Sequence, residues 1–504
     1  MRTSHRYDSL IPMVTRSTFA LLLVSLASLL LSAFAACGGG SEPSAIVTLT
    51  PLEPTTPPNV AAGSSWPMLA HDVSSNFQNA DETTISTENV GQLTELWHFE
   101  TSGSVTGTPA VVGDTVYVLA GGGTYALDAD TGEVRWDNSD VGGTSSPTYA
   151  GGTLFVSTSG GDLYALNAKT GDVLWQAEID PHPRASGFSS PVVVGDLVLI
   201  GSSSSEEAGA INDATFRGAL VAYDRESGDE VWRHYTVAPP FNGVSMWSTA
   251  SVDLDANVVY GDTGNNYTGE ASDTSDSIFA LDLETGDVLW NTQLTEGDVF
   301  TIGNPQSEDT DFGTNPILFK AEIDGTMRPV VGAGQKSGMF WVLDRETGEV
   351  VWNVQVSDGS PLIGGVFNNG AFDGERLIMA GNNATSDAPG GEPANGESEP
   401  LGAASIPTSV LTALNPADGT VAWERQLPAW VWAPVTLANG VGFVSAESEL
   451  QAFDVATGEK LFSFDTNGTI ASGAAIANGR VYFGSGVPYF LTTPDNTFYA
   501  LGLP

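Results

Sequence analysis

The most regular feature of the sequence is a short phrase in which apolar and polar residues alternate. The phrase runs into a turn that begins with Asp or Asn and contains Gly four residues later, and it ends on Trp or Phe after a second alternating stretch. Such a pattern predicts an antiparallel hairpin whose glycine accepts a positive φ angle. Seven copies occur, at 124–136, 163–175, 220–232, 278–290, 340–352, 411–423 and 450–462.

Two further apolar strands precede each phrase, so every repeat predicts four short antiparallel strands, which is the blade of a β-propeller. The segment 498–504 (FYALGLP) begins an eighth repeat without its last strand, and 93–100 (LTELWHFE) places Trp97 where the other repeats have their aromatic residue. The sequence therefore predicts an all-β, eight-bladed propeller whose ring is closed by its N- and C-terminal strands. The repeated tryptophans are predicted to pack between blades.

The repeats differ in length, and the extra residues fall in particular connections. Successive turn glycines lie 39 to 71 residues apart, so about 39 residues suffice for a bare blade. The excess lies between second and third strands, or before first strands, and both kinds of connection emerge on one face of a propeller. Because propellers carry function on loops held by a rigid scaffold, this face is the candidate site.

The N-terminus has the pattern of an export signal. Arg2, Arg6 and Arg16 precede an apolar run that ends at Ala36, and the only cysteine in the chain, Cys37, follows at once. We expect residues 1–36 to be a lipoprotein signal peptide and Cys37 to be lipidated. Residues 37–63 predict a flexible tether, and 64–504 the propeller. The protein is thus expected to be exported and held at the cell envelope by a lipid alone, on the periplasmic or extracellular side. An uncleaved membrane helix is the alternative.

Composition excludes several classes of function. The formal charge is −44, and removal of residues 1–36 leaves 14 basic and 60 acidic residues. A phosphate backbone needs a basic surface, so nucleic acid is not an expected partner. With no cysteine after Cys37, disulfide bonds and thiolate metal sites are excluded as well.

Several inserted loops carry a resemblance to a known family. The segments are 66–101 at the start of the propeller, GSSSSEE (201–207), MWSTASVDLDANVVYGDTGNNYTG (246–269), DTDFGTNPILF (309–319) and GAGQKSGMFWVLD (332–344). Together they resemble the pyrroloquinoline-quinone (PQQ) alcohol dehydrogenases, in particular the polyvinyl-alcohol-dehydrogenase-like branch. This resemblance implies PQQ and Ca²⁺ as cofactors and the oxidation of an alcohol to a carbonyl compound.

The resemblance also assigns roles to residues. It implies calcium ligands at Glu206, Asn265 and Asp311, with Glu207 as the alternative to Glu206. Asp311 matches the general base, and Asp309 is its nearest rival. Three more residues are implied at the cofactor. Trp247 matches the wall on which PQQ stacks, Lys336 matches a cation at the quinone oxygens, and Ser203 matches a hydroxyl that forms a hydrogen bond with the cofactor.

The sequence departs from the family in three places. It has no adjacent cysteine pair, it has no Cys-x-x-Cys-His haem motif, and Asn368 stands where relatives of this branch tend to have Trp. Without a haem motif, the expected partners are a small or polymeric alcohol and an external electron acceptor such as a cytochrome c. The competing hypothesis is a non-catalytic lipoprotein propeller that binds proteins, like the scaffold of outer-membrane assembly, because such propellers carry the same repeats.

Overall fold

The computed structural model describes residues 65–207, 213–302, 307–359, 364–383, 408–487 and 492–504. The predicted signal peptide, Cys37 and the tether lie outside these residues. No helix in the described ranges is long and apolar enough to cross a membrane. One short 3₁₀ turn, Val90–Gln92, is the only helical element there.

The described strands form eight antiparallel sheets, so the predicted eight-bladed propeller is confirmed. The strands of the first four blades, in chain order within each blade, are Ala110–Val112, Thr115–Ala120, Gly123–Asp128 and Val134–Asn138; Thr148–Ala150, Thr153–Ser157, Asp162–Asn167 and Val173–Glu178; Val192–Val194, Leu197–Ser204, Ala219–Asp224 and Glu230–Tyr235; and Ser251–Asp253, Val258–Asp262, Ser277–Asp282 and Val288–Gln293. Short strands are added to blades 1 and 3 by Ser65–Trp66 and Ala185–Ser186.

The last four blades follow the same order. Their strands are Ile317–Ile323, Thr326–Gly334, Met339–Asp344 and Val350–Gln355; Ala371–Phe372, Leu377–Asn382, Ser409–Leu414 and Val421–Leu427; Thr436–Ala438, Val441–Ala446, Glu449–Asp454 and Lys460–Asp465; and Ala475–Ala477, Arg480–Gly484, Thr497–Gly502 and Thr94–Glu100. Blade 7 gains the short parallel strand Gln78–Asn79. In most blades the second and third strands are almost entirely buried, whereas the fourth alternates between exposed and partly buried residues, as expected of an outer strand.

The ring closes where the sequence places the closure. Thr94–Glu100 pairs antiparallel with Thr497–Gly502, and Trp97 lies opposite Ala500. The N-terminal strand therefore completes the blade that the C-terminal repeat begins, which pairs the edge that an open ring would leave exposed.

The repeated tryptophans pack between blades, as predicted. Trp97 donates its indole N–H to the carbonyl of Ala129 at 3.2 Å in the next blade, and its ring lies against the turn glycine, Gly132. Gly132 has a φ of +73°, and a Cβ there would lie 2.6 Å from the ring. The same contact recurs in six further pairs: Trp136 with Gly171, Trp175 with Gly228, Trp232 with Gly286, Trp290 with Gly348, Trp352 with Gly419 and Trp423 with Gly458.

We expect Gly132→Ala to destabilise the propeller by two additive effects. The left-handed backbone costs about 1–2 kcal/mol for a residue with a Cβ, and overpacking against Trp97 costs about 1–3 kcal/mol more. Gly113→Ala is the matched control, because Gly113 also has a positive φ (+60°) but its Cβ would meet nothing within 4 Å. Denaturant unfolding of both variants measures the difference. Equal losses of unfolding free energy in the two variants would show that overpacking against Trp97 does not contribute to the destabilisation.

The segment 65–79 closes the axis of the ring, a feature that the sequence pattern did not predict. Its backbone carbonyls accept hydrogen bonds from the first strands of successive blades: Val73 from Val252 at 2.7 Å and Ser74 from Leu318 at 2.9 Å, for example. Asn76 and Phe77 continue the series in blades 6 and 7. The first strand of each blade is the one that faces the axis of the ring. Because the segment binds the first strands of successive blades, it closes one end of the axis.

Candidate active site

A buried ion-pair cluster lies on the face that carries the long connections. Lys336, in the turn between the second and third strands of blade 5, is 5% exposed. Its Nζ lies 3.0 Å from an oxygen of Asp309 and 3.0 Å from Oδ2 of Asp311. Both aspartates belong to the connection between blades 4 and 5. Burial alone would lower the pKa of Lys336, but the charges of Asp309 and Asp311 raise it well above its usual value, so the side chain is an ammonium ion.

Asn265 and Asp311, two of the implied calcium ligands, are brought together. The backbone N–H of Asn265 donates to Oδ1 of Asp311 at 2.7 Å. The Asn265 side-chain amide donates to the carbonyls of Asn266 and Phe300. This fixes the orientation of the Asn265 amide, because its nitrogen is engaged by backbone oxygens and its oxygen is the atom left to act as a ligand.

Trp247 adjoins the same cluster. The Nζ of Lys336 lies 5.2 Å from the centroid of the Trp247 ring, a cation–π distance. Gly313 lies against the indole, and a Cβ there would approach it to 2.5 Å. The indole Nε1 is buried and has no hydrogen-bond partner among the described residues. A flat aromatic wall with an unsatisfied donor therefore stands beside the ammonium group.

The two adjacent glutamates have different surroundings. Oε2 of Glu206 accepts the backbone N–H groups of Thr215 and Phe216 at 3.1 and 3.0 Å, and Oε1 lies 3.6 Å from Nε2 of His182. The charges of the cluster act on Glu207: burial, then repulsion by Asp311, raises its pKa to about 8, while Lys336 acts in the opposite direction. Which of the two glutamates is the calcium ligand stays a prediction.

Ser203 makes its hydrogen bonds within blade 3. Its hydroxyl donates to the carbonyl of Ser186 at 3.0 Å, and the two residues are paired in register. A role of Ser203 at the cofactor therefore stays a prediction, because none of these hydrogen bonds joins Ser203 to the ion-pair cluster.

Sequence reasoning missed two buried carboxylates of this cluster, Asp276 and Asp298. One ligand oxygen from each lies within 4.8 Å of the other and of an oxygen of Asp311. Burial, and then the neighbouring carboxylates, raises the pKa values of both. Both residues lie in long connections on the same face, but in an acidic chain without a family motif at these positions no signal singled them out.

An axial cavity of about 230 Å³ adjoins Trp247. Its aromatic lining comes from one equivalent position in each of four blades: Phe188, Trp247, Phe367 and Trp432. Asn368 also lines it, donates to the carbonyl of Val431 at 3.0 Å, and leaves its side-chain oxygen without a partner among the described residues. The departure at Asn368 thus adds a polar group to the wall of this cavity.

Two family models match the chain. The one described as outer membrane protein assembly factor BamB covers residues 88–259 and 341–496. The one described as glucose/ethanol/alcohol dehydrogenase, beta-propeller domain, covers 180–358. Every residue of the ion-pair cluster lies in the second range, whereas the first omits 260–340, which contains Asn265, Asp276, Asp298, Asp309, Asp311 and Lys336.

Sequence relatives agree with the dehydrogenase match, and solved structures agree with the fold. The chain is 32% identical to a polyvinylalcohol dehydrogenase of Pseudomonas sp over 80% of this chain and 70% of the relative. It is 29% identical to the polyvinylalcohol dehydrogenase of Sphingopyxis sp. (strain 113P3), over 86% and 74% of the two chains. The fold matches quinohemoprotein alcohol dehydrogenase from Comamonas testosteroni with a TM-score of 0.71 at 21% identity, covering 88% and 81%. The chain belongs to the PQQ-repeat β-propeller family and, within it, to the quinoprotein alcohol dehydrogenases.

Proposed function

We propose that this PQQ dehydrogenase uses PQQ together with Ca²⁺ to oxidise an alcohol to a carbonyl compound, and that it passes the electrons to an external acceptor such as a cytochrome c. The observation that carries the proposal is the Asp311–Lys336 ion pair beside the face of Trp247. Because the relatives are named for polyvinyl alcohol, the proposed substrates include polymeric as well as small alcohols.

The donor set fits a calcium ion. Asn265 and Asp311 supply an amide and a carboxylate oxygen, the hard ligands that Ca²⁺ prefers, and we propose that Glu207 completes the set in place of Glu206. Two backbone N–H groups already engage one carboxylate oxygen of Glu206, whereas the charges of Asp311 and Lys336 act on Glu207. A bound cation would also compensate the negative charge of the cluster, since Lys336 is the only basic side chain that the described ranges place in contact with its carboxylates.

The residues around Trp247 fit a flat, anionic cofactor. The indole face supplies a stacking wall, its Nε1 has no hydrogen-bond partner within the described ranges, and Lys336 supplies positive charge at one edge. When bound, PQQ supplies the quinone carbonyl that accepts a hydride from the alcohol carbon.

Asp311 is the proposed base that takes the hydroxyl proton of the alcohol. Its ion pair with Lys336 and the N–H of Asn265 hold the carboxylate in a fixed orientation. Once Asp311 has taken the proton, Lys336 still contacts the carboxylate of Asp309. The ammonium ion therefore stays paired throughout, so protonation of Asp311 does not leave an isolated buried charge.

A dye-linked assay tests this proposal. The purified protein, reconstituted with PQQ and excess Ca²⁺, should reduce an artificial dye with polyvinyl alcohol or a small secondary alcohol as the donor. Omission of PQQ is the control. PQQ-independent dye reduction would contradict the proposed use of PQQ, and no dye reduction with a broad panel of alcohols would favour the non-catalytic scaffold instead.

The proposed envelope anchor makes a separate prediction. Cys37 follows an apolar run and precedes a glycine-rich tether, so Cys37→Ser should release the protein from the membrane fraction. Cys37 precedes the predicted propeller (64–504), so we expect the melting temperature of the variant to be unchanged. A variant that stays membrane-bound would contradict the lipid anchor.

A further inference from the structure

We propose that Asp276, Asp298 and Asp311 hold a second divalent cation, Ca²⁺ by the chemistry of the ligands, in addition to the cation proposed at Asn265, Asp311 and Glu207, with Asp311 shared by the two sites. This inner cation site consists of side chains from two connections, the one within blade 4 and the one between blades 4 and 5. It does not require PQQ to be bound.

The spacing of the three carboxylates matches one coordination sphere. One oxygen of each lies within 4.8 Å of the others. Calcium binds oxygen at about 2.3–2.6 Å, so two ligands on opposite sides of the ion are roughly 5 Å apart. A single ion can therefore contact all three carboxylates without a rearrangement of the backbone.

An unsatisfied oxygen of Asp276 is the second, independent indication. Asp276 is 0% exposed, its Oδ1 lies 3.0 Å from the hydroxyl of Thr310, and its buried Oδ2 has no hydrogen-bond partner among the described residues. An ionised oxygen in that position lacks a donor, and a protonated one lacks an acceptor. Either form is costly in a buried site, and a bound cation removes the cost.

Asp298 is held in place by donors of its own. Its Oδ1 accepts the backbone N–H of Phe300 at 2.8 Å and the hydroxyl of Ser307 at 2.9 Å, and its Oδ2 accepts the backbone N–H of Thr310 at 2.6 Å. The hydroxyl of Thr310 lies 3.0 Å from an oxygen of Asp276 and 2.9 Å from an oxygen of Asp298. A hydroxyl has a single hydrogen to donate, so Asp276 loses this donor whenever the hydroxyl donates to Asp298.

The distribution of basic side chains points the same way. Lys336 forms ion pairs with Asp309 and Asp311, whereas no basic side chain of the described ranges forms an ion pair with Asp276 or Asp298. A divalent cation at the inner site would supply these two buried carboxylates with a positive partner.

Calcium stoichiometry tests the inference on the full chain without PQQ. The protein is stripped with a chelator, dialysed against defined free Ca²⁺ and analysed for bound metal, with calorimetric titration as a second readout. We expect two calcium ions per wild-type chain. Asp276→Asn should lose one of them or weaken it at least tenfold, and Asp298→Asn should do the same. Asp273→Asn is the matched control, because Asp273 lies in the same connection but is exposed.

The outcomes separate the two cation sites. A single wild-type calcium that Glu207→Gln removes and Asp276→Asn leaves in place would overturn the inner site while the proposed function stands. A single calcium that Asp276→Asn removes and Glu207→Gln leaves in place would support the inner site and contradict the outer one. Wild-type protein that binds no calcium overturns the inference. Asp276 accepts fewer hydrogen bonds from the described residues than Asp298 does, so Asp276→Asn is the variant to use if Asp298→Asn does not fold.

Discussion

Asp311→Asn is expected to lower kcat by about two to four orders of magnitude, the usual contribution of a positioned general base. The amide keeps the shape of the carboxylate and can still accept the N–H of Asn265, but it cannot take up a proton. The measurement is turnover at saturating PQQ, Ca²⁺ and alcohol, so that weakened binding of any of them does not contribute to the loss.

Asp309→Asn is the matched control for this prediction. Asp309 lies two residues earlier and contacts the same Nζ of Lys336, so its replacement perturbs the ion pair equally without removing the proposed base. We expect it to retain turnover within about tenfold. A large loss in Asp309→Asn combined with an active Asp311→Asn would assign the base to Asp309.

Lys336→Met is expected to destabilise the PQQ-free, metal-free protein by about 3–5 kcal/mol. Removal of one partner of a buried ion pair leaves the other charge uncompensated, and here two carboxylates, Asp309 and Asp311, lose their cation together. Denaturant unfolding of the chelated protein gives the change in the free energy of unfolding.

Two comparisons isolate the electrostatic origin of that loss. Lys320→Met removes the charge of an exposed lysine in the same blade, and its effect should stay within about 0.5 kcal/mol. Addition of Asp309→Asn to Lys336→Met should recover part of the stability, because one of the two stranded charges is then removed. A Lys336→Met variant as stable as Lys320→Met would show that the ion pair contributes nothing.

The blades could be predicted from sequence because their determinants are local. Each hairpin combines an alternating pattern with a turn in which, for example, Asp128 accepts the backbone N–H groups of Asp130 and Thr131, and the turn glycine receives the tryptophan of the preceding blade. Because the hairpin pattern is repeated, the number of blades and the closure of the ring by the strand of Trp97 could be predicted from the sequence. By contrast, the segment 65–79 closes the axis through backbone hydrogen bonds, which leave no pattern in the side chains.

The candidate site could be predicted only as far as its residues matched family motifs. Asn265, Asp311, Lys336 and Trp247 do come together, although they lie in different connections. The family motif leaves the choice between Glu206 and Glu207 open, because it depends on how one loop folds: the backbone N–H groups of Thr215 and Phe216 bind Glu206 in the structure. Asp298 lies in the same connection as Asp311, but Asp276 belongs to the connection within blade 4 and meets them only in the folded ring.

The central claim is that this propeller binds PQQ against Trp247 with the help of a calcium ion. Titration of the purified protein with PQQ in the presence of Ca²⁺, followed by calorimetry, tests it without knowledge of the substrate. We expect saturable binding at one PQQ per chain, weakened by roughly 1–3 kcal/mol, or about 5- to 150-fold, in Trp247→Ala, by analogy with the stacking of nucleic acid bases on aromatic side chains. No saturable PQQ binding in the presence of Ca²⁺ would contradict the account.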